Sequence, residues 1–120
     1  HKIQSMGIGI FGAFMIGFDS DDPRSIGETC EFIKKTKIYA PQISVLTPYP
    51  GCALRDQMAS QNRILNKDWK YYTGLDVTFK PKKMSEKELQ RQLVRSLKSI
   101  YNREYLKNNI RYFKEIFKNN

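Results

Sequence analysis

Apolar residues run almost without interruption from Ile8 to Phe18, in IGIFGAFMIGF, and stop abruptly in the acidic turn Asp19-Ser20-Asp21-Asp22. A strand with one wet face alternates apolar and polar positions. This run has no polar position, so it reads as a parallel strand buried on both faces. Gly9, Gly12 and Gly17 count against a buried helix, at about 1 kcal/mol each relative to alanine. Asp22-Pro23 then offers a helix cap and a favoured first helical residue. Ile26, Cys30 and Ile33 recur at helical spacing and predict a helix over Pro23–Lys37, with Lys34, Lys35 and Lys37 opposing the negative end of its dipole. Pro41 ends any continuation. Ile43–Leu46 is short and β-prone, and the intervening helix makes a βαβ unit whose two strands run parallel. In α/β folds of this kind, ligands sit at the C-terminal ends of the strands.

Thr47–Cys52, TPYPGC, reads as a rigid turn and Ala53–Ser60 as a short helix with Leu54 and Met58 one turn apart. An excursion follows, with a strand-like segment at Asp76–Phe79; its aromatics Trp69, Tyr71 and Tyr72 are expected to pack on the body. Ser85 and Glu88 form a capping-box pair. From there Leu89, Leu93, Leu97, Ile100 and Tyr101 make one apolar stripe, which resumes at Leu106, Ile110, Phe113 and Phe117 with a break expected at Asn108-Asn109. At the other end, His1–Met6 before Gly7 resembles the last turn of a helix with a glycine stop. A helix tail without its helix leads to the expectation that the chain is cut from something longer.

The 120 residues are 40% hydrophobic and 28% charged, which suits one soluble domain with a modest core. No window is long and apolar enough for a membrane span and the start has no secretory pattern, so no membrane partner is expected. Cys30 and Cys52 form neither a CxxC pair nor a Cys/His cluster, which points away from a metal site and towards a reducing, cytoplasmic setting. Charge divides the chain. Residues 80–120 hold 12 Lys/Arg against 4 Asp/Glu and residues 1–79 hold 9 against 8, so a boundary is placed near Lys80, with one unit over 1–79 and a basic helical extension over 80–120.

His1 is the only histidine, which leaves carboxylates as general-base candidates. Asp19, Asp21 and Asp22 cluster at a strand's C-terminal end; equally, Asp22 caps the helix and the other two favour its N-terminus. Asp19-Ser20-Asp21 lacks the glycine and distal glutamate of a calcium loop. Cys52 has no second histidine to activate it and reads as a small, buried or half-buried residue. Lys82, Lys83, Lys87, Arg91, Arg95 and Lys98 could line a helix and neutralise nucleic-acid phosphates, but the interspersed Glu86, Glu88 and Glu104 favour a solvated face.

The ordered set GAFMIGFDSDD, QISVLTPYPGCALRDQM, NRILNKDW and VTFKPKKMSEKEL resembles the C-terminal part of radical S-adenosylmethionine enzymes, most closely the group with an N-terminal cobalamin-binding domain. The resemblance covers about residues 1–95. It implies an α/β fold: the last two strand-helix units of a partial (β/α)6 barrel, followed by C-terminal amphipathic helices. Gly7–Phe18 would be the fifth strand and Ile43–Leu46 the sixth. Gly17 and Asp21 fall on a Gly-Phe-Pro-Gly-Glu-Thr-like turn, Asp21 standing where glutamate is usual. Met15 would help hold the adenosyl portion of the cofactor, and Leu46, Thr47 and Pro48 would approach the adenine. Cys52 replaces the threonine of a Pro-Gly-Thr turn and is not a cluster ligand. The family's chemistry needs a CxxxCxxC loop holding a 4Fe-4S cluster, which this sequence lacks. The resemblance therefore implies a fragment, inactive alone. Its parent would cleave S-adenosylmethionine reductively, with cobalamin a candidate second cofactor for methylation. The implied partner is the missing N-terminal part of the barrel, or a second copy meeting the exposed strand edge. The alternative is a small nucleic-acid-binding or protein-interaction module using the basic helices.

Overall fold

The computed structural model describes residues 2–118. Their order is a short helix α1 (Lys2–Ser5), strand β1 (Phe11–Ile16), helix α2 (Pro23–Thr36), strand β2 (Ala40–Val45), helix α3 (Ala53–Ser60), a 3-10 turn (Trp69–Tyr71), and helices α4 (Glu86–Ile100) and α5 (Arg103–Lys118). The chain is α/β, with two parallel strands and five α-helices among the described residues. Gly7, at φ +79°, does end α1; His1 lies outside the described residues.

β1 and β2 lie in register from Phe11 beside Ala40 to Ile16 beside Val45. Paired residues share a face. Phe14, Ile16, Pro41, Ile43 and Val45 point towards the helices; all are buried except Phe14, which is half-buried. Ile26, Cys30 and Ile33 of α2 and Leu89, Leu93 and Ile100 of α4 complete one hydrophobic cluster with them. α4 packs on both α2 and β2, so the basic half of the chain contributes to the same core as the first half.

The opposite face carries Phe11, Ala13, Met15, Ala40, Gln42 and Ser44, and among the described residues no helix covers it. Phe11 is 66% and Met15 47% exposed. Burial on both faces is therefore corrected: among the described residues one layer of helices covers one face, and the continuous apolar run of β1 leaves alternate side chains exposed.

Pro41 lies within β2 rather than before it. The amides of Ala40 and Leu46 donate to the carbonyls of Ile10, just before β1, and Ile16, its last residue, whereas that of Val45 donates outward to Gly74. Pro41 shares the outward phase, so its missing N–H costs no bond to β1.

Local signals set the helix starts. Asp22 accepts from the amide of Ser25 at 2.9 Å, and the Ser25 hydroxyl accepts from the amide of Asp22 at 3.1 Å. Ser85 accepts from the amide of Glu88, but the Glu88 carboxylate turns to Gln92, Arg91 and Arg95 instead of closing the expected box. The break between the last two helices falls at Tyr101-Asn102, not Asn108-Asn109. The Asn102 side chain accepts from the amide of Tyr105, whereas Asn109 is buried and donates to the carbonyl of Ile38. Asp76–Phe79 is not a full strand: Ile64 and Phe79 form a single antiparallel bridge. Of the excursion's aromatics, Tyr72 is buried, while Trp69 and Tyr71 stay exposed.

Candidate functional site

The two strands end side by side, joined by the amide of Leu46 donating to Ile16 at 2.8 Å. The expected site residues gather at this end but point in different directions. Met15 lies on the open sheet face beside Ser44. Gly17 is buried on the helix side, at φ +99°; a β-carbon there would lie 2.9 Å from Leu89 Cδ2 and 3.4 Å from the ring of Phe79. The Asp21 carboxylate accepts the amides of Gly17 at 2.9 Å and Phe18 at 3.0 Å, closing the turn on itself.

Leu46, Thr47 and Pro48 are buried. The Thr47 hydroxyl donates to the carbonyl of Val45 at 3.0 Å, and its own carbonyl accepts from the amide of Tyr49. The Pro48 carbonyl accepts from Arg55 Nη1 at 3.2 Å. Arg55 also donates to the Tyr72 hydroxyl, which in turn donates to the carbonyl of Asn66. The excursion thus fastens the turn after β2. Cys52 stands half-buried at the cap of α3, its thiol donating to the carbonyl of Tyr49.

The three aspartates divide their work. Asp22 caps α2, and hydrogen bonds from the backbone of Ser25 hold its carboxyl below the usual aspartate range. Asp19 does not serve the helix N-terminus. Arg63 grips it through two nitrogens, at 2.5 and 3.1 Å, and Lys82 approaches to 2.8 Å. The Arg63 hydrogen bond, with Lys82 assisting, holds the pKa of Asp19 below the usual aspartate range against a smaller burial effect. Lys83 donates to the carbonyl of Ser20. An acid so tied to cations is a poor proton acceptor near neutral pH, so the acidic turn reads as a brace for the strand end.

Arg63, 8% exposed, was not singled out by the sequence; Gly74, which reads as a turn, also receives the outward amide of Val45 at its carbonyl. Arg63 is separated from Asp19 by 44 residues, so no local pattern announces the pair.

No protein-family model matches the chain. It is similar to curated methyltransferases. It is 33% identical over 94 residues to bacteriochlorophyllide d C-12(1)-methyltransferase of Chlorobaculum tepidum, covering 78% of this chain and 20% of that protein. It is 30% identical over 98 residues to an uncharacterized methyltransferase of Pyrococcus horikoshii, covering 82% and 21%. It is 27% identical over 98 residues to bacteriochlorophyllide d C-8(2)-methyltransferase of Chlorobaculum tepidum, covering 82% and 22%. The chain spans about a fifth of the length of these relatives.

Proposed function

We propose that the chain is the C-terminal part of a radical S-adenosylmethionine methyltransferase that works in the cytoplasm. Residues 1–79 would be the last two strand-helix units of its partial (β/α)6 barrel and residues 80–120 a basic helical extension. The observation that carries this is the one-sided sheet: helices cover a single face, and the other holds exposed Phe11, Ala13 and Met15. A barrel has a helix-covered outside and a side-chain-filled inside. The open face matches such an inside, in a chain similar to methyltransferases over a fifth of their length.

In this reading Met15 offers a polarizable apolar surface to the adenosyl portion of S-adenosylmethionine. Gly17 and Asp21 hold the strand end in shape beneath it. The amide of Leu46 already serves Ile16, and the carbonyls of Thr47 and Pro48 already accept one bond each. This segment therefore contributes a rigid wall, with its remaining carbonyl lone pairs as the polar contacts. The 4Fe-4S cluster does not fit this chain. Cys30 is buried, Cys52 is engaged with Tyr49, and among the described residues no three His, Cys, Asp or Glu side chains gather to hold a metal. Nor does any residue here point to a cobalamin site. Both groups, if the parent uses them, belong to its other parts, and the earlier barrel strands would pair with the outer edge of β1.

The test is to sequence the coding DNA upstream of the His1 codon, express any longer open reading frame found there, reconstitute it anaerobically with iron and sulfide, and supply S-adenosylmethionine and a reductant. Formation of 5′-deoxyadenosine by the longer product, and none by the 120-residue chain, is the expected result. A start codon just upstream, or deoxyadenosine from the short chain, overturns the reading.

A further inference from the structure

Helix α5 carries a surface that the core does not use. The sequence places Leu106, Ile110, Phe113 and Phe117 on one apolar stripe, but only Phe113 is buried. The helix is seated instead through Asn109 and Tyr105, which donate to the carbonyl of Ile38, and through Phe113 against Tyr39, ring centres 4.9 Å apart. Seating through Asn109 turns the stripe partly outward. Leu106 is 40%, Ile110 56% and Phe117 45% exposed, and the exposed Tyr39 ring lies 6.1 Å from Phe117.

The order of residues around α5 is informative. At about 100° per residue, Leu106, Phe117 and Ile110 fall within an arc of about 40°. Arg103, Lys114, Lys107, Lys118 and Arg111 follow directly, within the next 100° or so. Glu104 and Glu115 lie beyond them. All five cations are exposed, and among the described residues none is in an ion pair. An apolar strip bordered by a cationic strip, with acids kept to the far side, is the arrangement of a helix that lies in the plane of a lipid surface.

We propose that α5 docks the protein on an anionic membrane surface, with Leu106, Ile110 and Phe117 entering the headgroup boundary and the five cations meeting lipid phosphates. This docking is distinct from spanning, for which no described helix is long and apolar enough. Charge selects the occupant. A second copy would bring the same cationic strip against this one, and a neutral protein groove would leave five cations unanswered. Nucleic acid would answer the cations but not the apolar strip, whose side chains are segregated from the lysines rather than interleaved with them.

The experiment is co-sedimentation of the chain with vesicles of phosphatidylglycerol mixed into phosphatidylcholine, compared with phosphatidylcholine alone. Binding at least tenfold stronger to the anionic vesicles, and weakened by added salt, is expected. Ile110→Ser with Phe117→Ser should reduce it tenfold or more, as should Lys107→Glu with Lys114→Glu. These positions are exposed, and circular dichroism checks that the helices persist. Phe11→Ser with Met15→Ser, on the open sheet face, should leave it unchanged. No binding, equal binding to both vesicles, or loss only with the Phe11 and Met15 changes overturns the proposal. So does binding of duplex RNA that the Lys107 and Lys114 changes abolish while vesicle binding is untouched.

Discussion

Arg63 holds Asp19 across 44 residues of sequence, with two guanidinium nitrogens on the two carboxylate oxygens. The same arginine donates to the carbonyl of Lys80 and lies over the ring of Phe79, so it joins the end of β1 to both sides of the excursion. Arg63 is buried and Asp19 is a third exposed, so solvent screens the pair only in part. Arg63→Ala should cost about 1–3 kcal/mol, less than a fully buried pair because Lys82 still neutralises Asp19. Urea denaturation measures it; a change within error would mean the clamp contributes nothing.

The pair also sets a pH dependence. The folded pKa of Asp19 is lowered by Arg63, so the unfolded chain binds the proton more readily. The contribution is fully present above the ordinary aspartate value of about 4 and is lost as pH falls through the lowered folded value. Asp19→Asn should therefore be less stable than the wild type at pH 6, with the gap closing towards pH 2. A gap that is constant with pH would mean the carboxylate's charge is not what stabilises the strand end.

Gly17→Ala should destabilise the chain by about 1–3 kcal/mol. Its φ of +99° is strained for any L side chain, and the new methyl would meet Leu89 Cδ2 at 2.9 Å. Gly27→Ala makes the control: it is exposed in mid-helix, with nothing within 4 Å of the added carbon, and should raise stability by about 1 kcal/mol. Equal effects of the two changes on the thermal midpoint would refute the steric argument.

Tyr101→Phe tests how the last two helices are tied to the sheet. The Tyr101 hydroxyl donates to the carbonyl of Pro41 in β2. Its loss should cost about 1 kcal/mol, because the carbonyl is half-screened and water can replace the donor. Asn109→Ala should cost more, about 1–3 kcal/mol, since the Asn109 side chain is buried and the carbonyl of Ile38 loses a donor inside the protein. Hydrogen exchange at α5 amides should rise in the second variant and barely change in the first.

What could be read in the sequence was whatever closes within a few residues. Asp22 with Ser25, and Ser85 with the amide of Glu88, are contacts of a residue with its third neighbour, so residue type at fixed spacing suffices. Ile26, Cys30 and Ile33 are buried as their period requires. The two asparagine steps show where this stops. Asn102 and Asn109 are the same residue in similar company, yet one caps a helix and the other sits inside one. The carbonyl of Ile38 decides between them, 71 residues from Asn109. The gathering of Met15, Gly17, Asp21 and Leu46 at one end followed from the βαβ reading, whereas Arg63 and Tyr72, which brace that end, come from a segment with no periodic signal.

In a longer product that completes the proposed enzyme, Met15→Ala should weaken S-adenosylmethionine binding about tenfold, the cost of removing most of a methionine side chain from an apolar contact with the cofactor. Equilibrium dialysis with labelled cofactor measures it. Asp21→Asn keeps one carbonyl acceptor for the amides of Gly17 and Phe18 and should lose less affinity than Asp21→Ala, which keeps none. If Met15→Ala binds as the wild type does, the open face is not where the cofactor lies.

The open face should also govern how the short chain behaves by itself. Phe11 and Met15 stand exposed on one face with Ala13 between them, and Ile8 is 54% exposed just before the strand. Among the described residues the outer edge of β1 has no paired strand. An uncovered apolar face beside an unpaired edge favours association, and a second copy is the partner always present. Light scattering at micromolar concentration should find dimers or larger species. Phe11→Glu with Met15→Glu should return a monomer, because two such faces would bring four carboxylates together out of water. Ile110→Ser should leave the assembly intact, since α5 meets the opposite charge problem. A wild-type monomer would mean that the edge and face are too small or too polar to hold two copies.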